Sequence, residues 1–116
     1  MHHPLRGEIW WANLPKGMGH EQEGRRPAIV LADIGQADLI VAVPMTGELT
    51  SERFKFTLRI SPSAKNNLKE DGIALVFQIR ALDKNRLVEK IGQLDDKDIA
   101  SINIILKDIL KLQDSE

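Results

Sequence analysis

The sequence of 116 residues contains no cysteine, and aromatic residues make up only 4% of it. The absence of cysteine excludes a disulfide framework and a thiolate zinc site, and it suits a reducing cytoplasm. No apolar run approaches the length of a membrane span, and the N-terminus lacks the apolar core of a signal peptide. We therefore expect a cytoplasmic protein that does not enter a membrane.

Neither sign of charge dominates, because 16 basic residues face 17 acidic ones and leave a net charge of -1. Proteins that hold nucleic acid through the field of the whole molecule are strongly basic, so any such site here is a local patch. Hydrophobic residues make up 42% of the chain, enough for a real core. Length and composition together predict one domain over residues 1–116.

Metal ligands and phosphate loops are also missing. His20 is the one internal histidine, and no spacing of histidines and carboxylates suggests a metal site. The sequence has no glycine-rich nucleotide loop and no nucleophile elbow. We therefore expect neither a metal nor an organic cofactor.

Short apolar segments separated by polar turns predict a fold that is mainly β. We expect strands over Gly7–Leu14, Pro27–Asp33, Leu39–Thr46, Arg53–Ile60, Ile73–Asp83 and Arg86–Leu94. The segment Arg53–Ile60 alternates strictly between apolar and polar residues, and Ile73–Asp83 is the longest candidate. Pro44 cannot donate a ladder hydrogen bond, so strand pairing should loosen there or lie at an edge.

A single amphipathic helix follows the strands. Asp95 or Asp96 is expected to cap it, and its apolar stripe consists of Ile99, Ile102, Ile105, Leu106, Ile109 and Leu110. Many short strands followed by one helix predict a small, strongly curved antiparallel sheet or partly open barrel plugged by the C-terminal helix.

Two polar residues at strand ends are candidates for phosphate chemistry. Arg26 precedes Pro27, which holds its backbone extended, so it projects from the mouth of a buried strand. It either binds a phosphate or pairs with Glu21 or Glu23. Thr46 ends another apolar strand, where its hydroxyl either donates to a phosphoryl oxygen or only terminates the strand.

Other side chains admit two interpretations each. Gln78 lies in an apolar segment and is either part of a buried polar network or exposed on a one-sided strand. His20 is either a general acid or base or a solvated loop residue. Arg53, Lys55 and Arg59 form either a solvated face or a stripe that follows a phosphate backbone. Trp10, Trp11 and Phe56 either stack on bases or fill the core.

Three separated segments resemble the MazF/PemK family of toxin endoribonucleases. The first, Arg6–Ala32, contains RGEIWW and then GHEQEGRRPAIV. The second, Ile40–Thr46, is an apolar strand that ends in PMT. The third, Glu70–Asp95, begins with EDG and contains QIRALDKNR. The three segments agree in order and spacing over nearly the whole chain.

The resemblance implies an SH3-like barrel with a C-terminal helix that works as a homodimer. It implies metal-independent, sequence-specific cleavage of single-stranded RNA, usually mRNA, and neutralisation by a MazE-like antitoxin. The catalytic pair maps onto Arg26, not Arg25, and onto Thr46. Glu21, Gln22 and Gln78 fall on positions expected to line the site.

For such chemistry Glu21 or His20 would take the proton from the ribose 2′-OH, and the sequence does not choose between them. Arg25, Arg53 and Lys55 are further candidates for contacts with the substrate. The chain departs from the family pattern at Phe77, where an acidic residue is usual, and at His20, where serine is common. The same fold also serves gyrase poisons related to CcdB, so the alternative is a non-enzymatic gyrase poison or a catalytically inactive RNA-binding member.

Overall fold

The computed structural model describes residues 3–113, and it confirms a mainly β fold with one C-terminal helix. The strands are β1 (Glu8–Leu14), β2 (Gly24–Ile34), β3 (Leu39–Thr46), β4 (Thr57–Ile60), β5 (Gly72–Leu75), β6 (Arg80–Asp83) and β7 (Leu87–Gln93), followed by helix α1 (Asp96–Leu110). Short 3-10 turns span Gly35–Ala37, Leu49–Arg53, Val76–Gln78 and Lys84–Arg86.

All strand pairs are antiparallel, and β3 is the strand on which the sheet changes partners. The order is β4-β5-β3-β2-β1-β7, with β6 also paired to β3. One edge of β3 pairs with β6 over residues 39–42 and with β5 over residues 45–46. Pro44, which has no N–H to donate, lies between these two ladders while it stays in register with Ala28 of β2. The predicted loosening at Pro44 is therefore confirmed on one edge of the strand.

Two hydrophobic clusters lie on opposite faces of the central strands. Ile29 and Leu31 of β2 contact the cluster that α1 covers, whereas Ala28 and Val30 contact a second cluster around Trp10. Because successive side chains of a strand point to opposite faces, a strand buried on both faces is apolar throughout. This explains the continuous apolar run of β2.

The strand predicted over Arg53–Ile60 is wrong in its first half. Residues Leu49–Arg53 form a 3-10 turn, and only Thr57–Ile60 are extended as β4. Phe56 has a left-handed backbone, with φ of 65°, and its carbonyl accepts a hydrogen bond from the Phe77 N–H at 3.3 Å. This reversal interrupts the alternation, and it leaves Phe54 at the surface with 37% of its area exposed.

The strand predicted over Ile73–Asp83 is also wrong as a single element. It is divided into β5 and β6 by the 3-10 turn Val76–Gln78. Both halves pair with β3, and the inserted turn shifts the register between the two ladders. The break directs the side chain of Gln78 away from the sheet and toward the loop before β2.

The helix begins where the sequence predicts. Asp95 occupies the N-cap position, but its side chain makes no capping hydrogen bond to the helix and instead accepts from the Ser63 hydroxyl at 2.7 Å, so the predicted side-chain cap is wrong. The stripe packs on the first cluster through its members Ile99, Ile102, Ile105, Leu106 and Ile109. Leu110 differs, because it is 55% exposed at the end of the helix.

Candidate functional site

A large cleft lies where β2 begins and β3 ends. Its volume is about 690 Å³, and both Arg26 and Thr46 line it. Ala28 is opposite Pro44 in the antiparallel ladder, and continuing this register by two residues puts Arg26 opposite Thr46. Residues that are 20 positions apart in sequence thus meet at one site.

The guanidinium of Arg26 has no carboxylate partner within residues 3–113. Its Nε donates to the backbone carbonyl of Glu23 at 3.2 Å, a bond that orients the group. The side chains of the two nearby glutamates are used elsewhere, since Glu21 accepts from the Met18 N–H and Glu23 from the Gly17 N–H, both at 2.7 Å. The full positive charge of Arg26 is therefore available to an anion in the cleft.

Thr46 is only 4% exposed and is held at the end of β3. Its hydroxyl oxygen accepts from the Glu48 N–H at 3.2 Å. A hydroxyl also has a proton to donate, and that proton is not used by this bond. Thr46 can therefore donate to an oxygen beside Arg26.

Arg25 differs from its neighbour because it is already paired. Its Nη2 lies 3.5 Å from Glu89, and its guanidinium lies 5.2 Å from the centre of the Trp11 ring. Both partners line the same cleft. Arg25 is thus a charge at the rim, where ion pairs are weak and screened.

The loop between β4 and β5 forms the opposite wall of the cleft and contributes residues 67–71. Asn66 is fully buried, and it accepts from the N–H groups of Ser63 and Leu68 while donating to the Ser61 carbonyl. A Cβ at Gly92 would lie 2.3 Å from the Asn66 carbonyl oxygen, so only glycine permits this approach. The loop is therefore fixed against β7.

This wall contains site residues that were not anticipated from the sequence. Lys69 and Glu70 both line the cleft beside Arg26. Asp71 also lines it but is paired with Arg59 at 2.8 Å, and this hydrogen bond raises the pKa of the Arg59 guanidinium. Arg59 is therefore engaged and does not extend a free basic stripe. The segment has no period that would have predicted its position.

The loop before β2 is fastened by Gln78. The side-chain oxygen of Gln78 accepts from the Gln22 N–H at 2.8 Å, and its nitrogen donates to the His20 carbonyl at 2.9 Å. Gln78 therefore belongs to a polar network, which is one of the two interpretations offered by the sequence. Both the oxygen and the nitrogen of its side-chain amide bind the backbone of the loop.

The predicted site residues are divided between two clefts. Arg25, Arg26 and Thr46 line the first, whereas a second cleft of about 220 Å³ is lined by His20, Gln22, Glu48, Ser51, Arg53, Phe54, Leu75, Phe77 and Gln78. Glu21 and Lys55 line neither cleft. Lys55 lies over the Phe56 ring at 5.0 Å. Trp10 is a core residue, 8% exposed.

Residues 3–113 contain neither a metal-binding cluster nor a helix suited to a membrane. No group of three or more histidines and carboxylates is arranged to hold a metal ion. In the same part of the chain, no helix has the length and apolar character that a membrane crossing requires.

Residues 5–110 match the model of the PemK-like, MazF-like toxins of type II toxin–antitoxin systems. Endoribonuclease MazF of Staphylococcus saprophyticus is 35% identical over 101 residues, which cover 84% of this chain and 83% of that protein. Endoribonuclease EndoA of Bacillus subtilis is 32% identical over 111 residues, which cover 94% and 96%.

Solved structures agree with these relatives. MazF of Deinococcus radiodurans superposes with a TM-score of 0.80 at 28% identity, covering 97% of this chain and 100% of that one. In a MazE–MazF structure from the same organism the TM-score is 0.73 at 26% identity, with the same coverage. The chain therefore belongs to the PemK/MazF family of type II toxins.

Proposed function

We propose that this chain is a sequence-specific endoribonuclease toxin that cleaves single-stranded RNA in the cleft of Arg26 and Thr46. The observation that carries the proposal is the opposition, at two strand ends in the first cleft, of a hydroxyl donor and a guanidinium that has no carboxylate partner within residues 3–113. Membership of a family with relatives named endoribonucleases supports the same conclusion.

RNA carries its own nucleophile, because the ribose 2′-OH can attack the adjacent phosphorus. The new P–O bond replaces the bond to the 5′-oxygen of the next nucleotide, which leaves a 2′,3′-cyclic phosphate and a 5′-hydroxyl. The enzyme has to orient the attacking group and neutralise the charge that grows on the phosphoryl oxygens. Arg26 is suited to bind the two non-bridging oxygens, and Thr46 to donate to one of them or to the leaving 5′-oxygen, which takes up a proton to become the 5′-hydroxyl.

The proton of the 2′-OH needs an acceptor, and two residues were proposed from the sequence. His20 lines the second cleft, and the carboxylate of Glu21 is bonded to its own loop. Neither residue lines the cleft that Arg26 and Thr46 share. Glu70 lines the cleft of Arg26 itself, and it joins His20 and Glu21 as a candidate base.

We further propose that the toxin acts in the cytoplasm as a homodimer of single-domain chains and is neutralised by a MazE-like antitoxin. A relative solved as MazE–MazF supports the choice of partner.

The test is to incubate the pure protein with single-stranded RNA in excess EDTA. Since Arg26 supplies the positive charge and RNA the nucleophile, we expect discrete fragments that end in 2′,3′-cyclic phosphates. Cleavage that disappears in EDTA and returns with magnesium would contradict the mechanism. A complete absence of fragments with and without magnesium would favour the gyrase poison or the inactive RNA binder.

A further inference from the structure

The second cleft is lined by aromatic side chains that are exposed although the molecule has few of them. The ring centres of Phe54 and Phe77 lie 6.0 Å apart in an edge-to-face arrangement, and His20 lies 6.3 Å from Phe54. Both phenylalanines keep 37% of their surface exposed. Arg53 lies 4.3 Å from the centre of the Phe54 ring. Together these residues form a surface on which a flat group can stack.

An unsatisfied polar atom accompanies this surface. The side-chain oxygen of Gln22 is buried and has no hydrogen-bond partner among residues 3–113. Burial of an unpaired acceptor is unfavourable. The terminal torsion of glutamine rotates easily, so the amide oxygen can turn toward a donor in the cleft. A ligand with an N–H group in the second cleft would supply the missing donor.

The second cleft is adjacent to the cleft of Arg26. Glu48 lines the second cleft, and its N–H donates to the hydroxyl of Thr46, which lines the first. On the other side Gln22 precedes Glu23, whose carbonyl holds Arg26. Thr46 and Glu48 are two positions apart, and two residues of backbone span at most roughly 7 Å. This span is about the length of one nucleotide of extended RNA, so neighbouring nucleotides can occupy the two clefts.

We propose that the second cleft binds one nucleobase of the RNA substrate, within two nucleotides of the bond that is cleaved. The base stacks on Phe54 and Phe77 and donates to Gln22. The proposal rests on the endoribonuclease function.

Size and chemistry favour a base over a folded partner or an apolar side chain. The volume of about 220 Å³ is below the roughly 300–1,000 Å³ of pockets for drug-sized ligands. Stacking on aromatic rings and on arginine is the usual way in which proteins hold unpaired bases. An apolar side chain would leave the Gln22 oxygen without a donor.

The polar groups also indicate which bases are preferred. Gln22 offers an acceptor, and Glu48 adds a carboxylate. Uracil presents two carbonyl oxygens to such a site and only one donor, whereas adenine, cytosine and guanine each present an amino group. We expect a base with an amino group in preference to uracil.

The first experiment digests a pool of randomised single-stranded RNA and sequences the fragment ends. Wild type is compared with Phe54→Ala, Phe77→Ala and Gln22→Leu. Leu49→Ala is the matched control, because Leu49 is 38% exposed on the same 3-10 turn but does not line the cleft. We expect wild type and control to discriminate against uracil at one position near the cut, and the three variants to lose about 5- to 100-fold of that discrimination.

The second experiment measures binding of labelled, uncleavable 2′-O-methyl oligoadenylate and oligouridylate. The proposal predicts tighter binding of oligoadenylate and a loss of this difference in Phe54→Ala but not in Leu49→Ala. If wild type cleaves no RNA, the endoribonuclease function fails, and the binding comparison still decides the base site. Unchanged base preference in folded, active variants would assign the aromatic surface to a protein partner and overturn the proposal.

Discussion

Arg25 and Arg26 are neighbours in sequence, yet their guanidinium groups have different surroundings. Within residues 3–113 Arg26 is bonded only to a backbone carbonyl, whereas Arg25 is paired with Glu89 and lies over Trp11. Both arginines line the first cleft, so their partners and not their location distinguish them. One charge is therefore available for chemistry and the other is partly neutralised at the rim.

Replacing the two arginines separately tests this difference. Removing a positioned charge from the transition state costs about 3 kcal/mol, roughly a hundredfold or more in rate, so Arg26→Ala should nearly abolish cleavage. Thr46→Ala should reduce it to a lesser degree. Arg25→Ala should stay within about tenfold of wild type, because a screened ion pair contributes little.

Single-turnover cleavage rates measure the effect, and circular dichroism verifies that each variant folds. If Arg25→Ala were inactive and Arg26→Ala active, the assignment of roles would be reversed.

Glu8 is a second residue whose environment has a measurable consequence. Burial raises the pKa of Glu8, but hydrogen bonds from the Leu5 N–H, Lys90 and Trp10 outweigh that effect, so its pKa lies below the ordinary value. A lowered pKa means that ionised Glu8 stabilises the fold above the unfolded-state pKa. This contribution is lost as the pH falls through the folded-state pKa.

Glu8→Gln should therefore lower the free energy of unfolding at pH 7 by about 1–3 kcal/mol. It should also flatten the loss of stability between about pH 5 and pH 3. Urea unfolding across this range measures both effects. Glu89→Gln is the control, because that carboxylate is 66% exposed in its side chain and pairs at 3.5 Å. An unchanged pH slope in Glu8→Gln would show that Glu8 does not carry the effect.

At the scale of elements, the break between β5 and β6 connects the sheet to the loop that precedes β2. The turn Val76–Gln78 brings one amide side chain onto the backbone of His20 and Gln22. The loop lines the second cleft with His20 and Gln22, and its Glu23 carbonyl accepts from Arg26 of the first cleft. Its position therefore depends on an element that is distant in sequence.

Gln78→Leu should release this loop while the sheet remains intact, because it removes both hydrogen bonds and keeps a similar side-chain volume. We expect faster hydrogen exchange and proteolysis over residues 17–23, with a loss of about 1–2 kcal/mol in the free energy of unfolding. Gln36→Leu is the control, since Gln36 is an exposed glutamine in the 3-10 turn Gly35–Ala37. Equal exchange in the two variants would contradict the role of Gln78 as a fastener.

At the scale of the whole molecule, the chain presents apolar surface beyond what its two clusters bury. Ile104 is 69% exposed, and Leu110 and Leu112 are more than half exposed at the end of α1. Exposed apolar side chains near the end of a helix offer surface that a second chain can cover. This surface is consistent with the homodimer that we propose.

Sedimentation should therefore give a mass of about twice 13.0 kDa at micromolar concentration. Closed oligomers of identical chains are usually two-fold symmetric dimers, so the mass should not rise further with concentration. A mass of one chain at that concentration would contradict the prediction.

Much of the fold follows from local patterns in the sequence. Alternation and continuous apolar runs predict the central strands, because they reflect burial on one or both faces. The helix was located by its acidic start and apolar stripe, and Pro27 accounts for the extended backbone of Arg26. These features depend on residues within a few positions of one another, so they can be read without tertiary contacts.

The remaining features are decided by contacts between distant residues. The left-handed backbone of Phe56 and the turn at Gln78 interrupt two patterns that look regular, because each satisfies hydrogen bonds with a partner about 20 or more residues away. The availability of Arg26 depends on where Glu21 and Glu23 direct their carboxylates. Sequence alone therefore determined which residues are candidates, whereas tertiary packing decided which charges are paired and which side chains share a cleft.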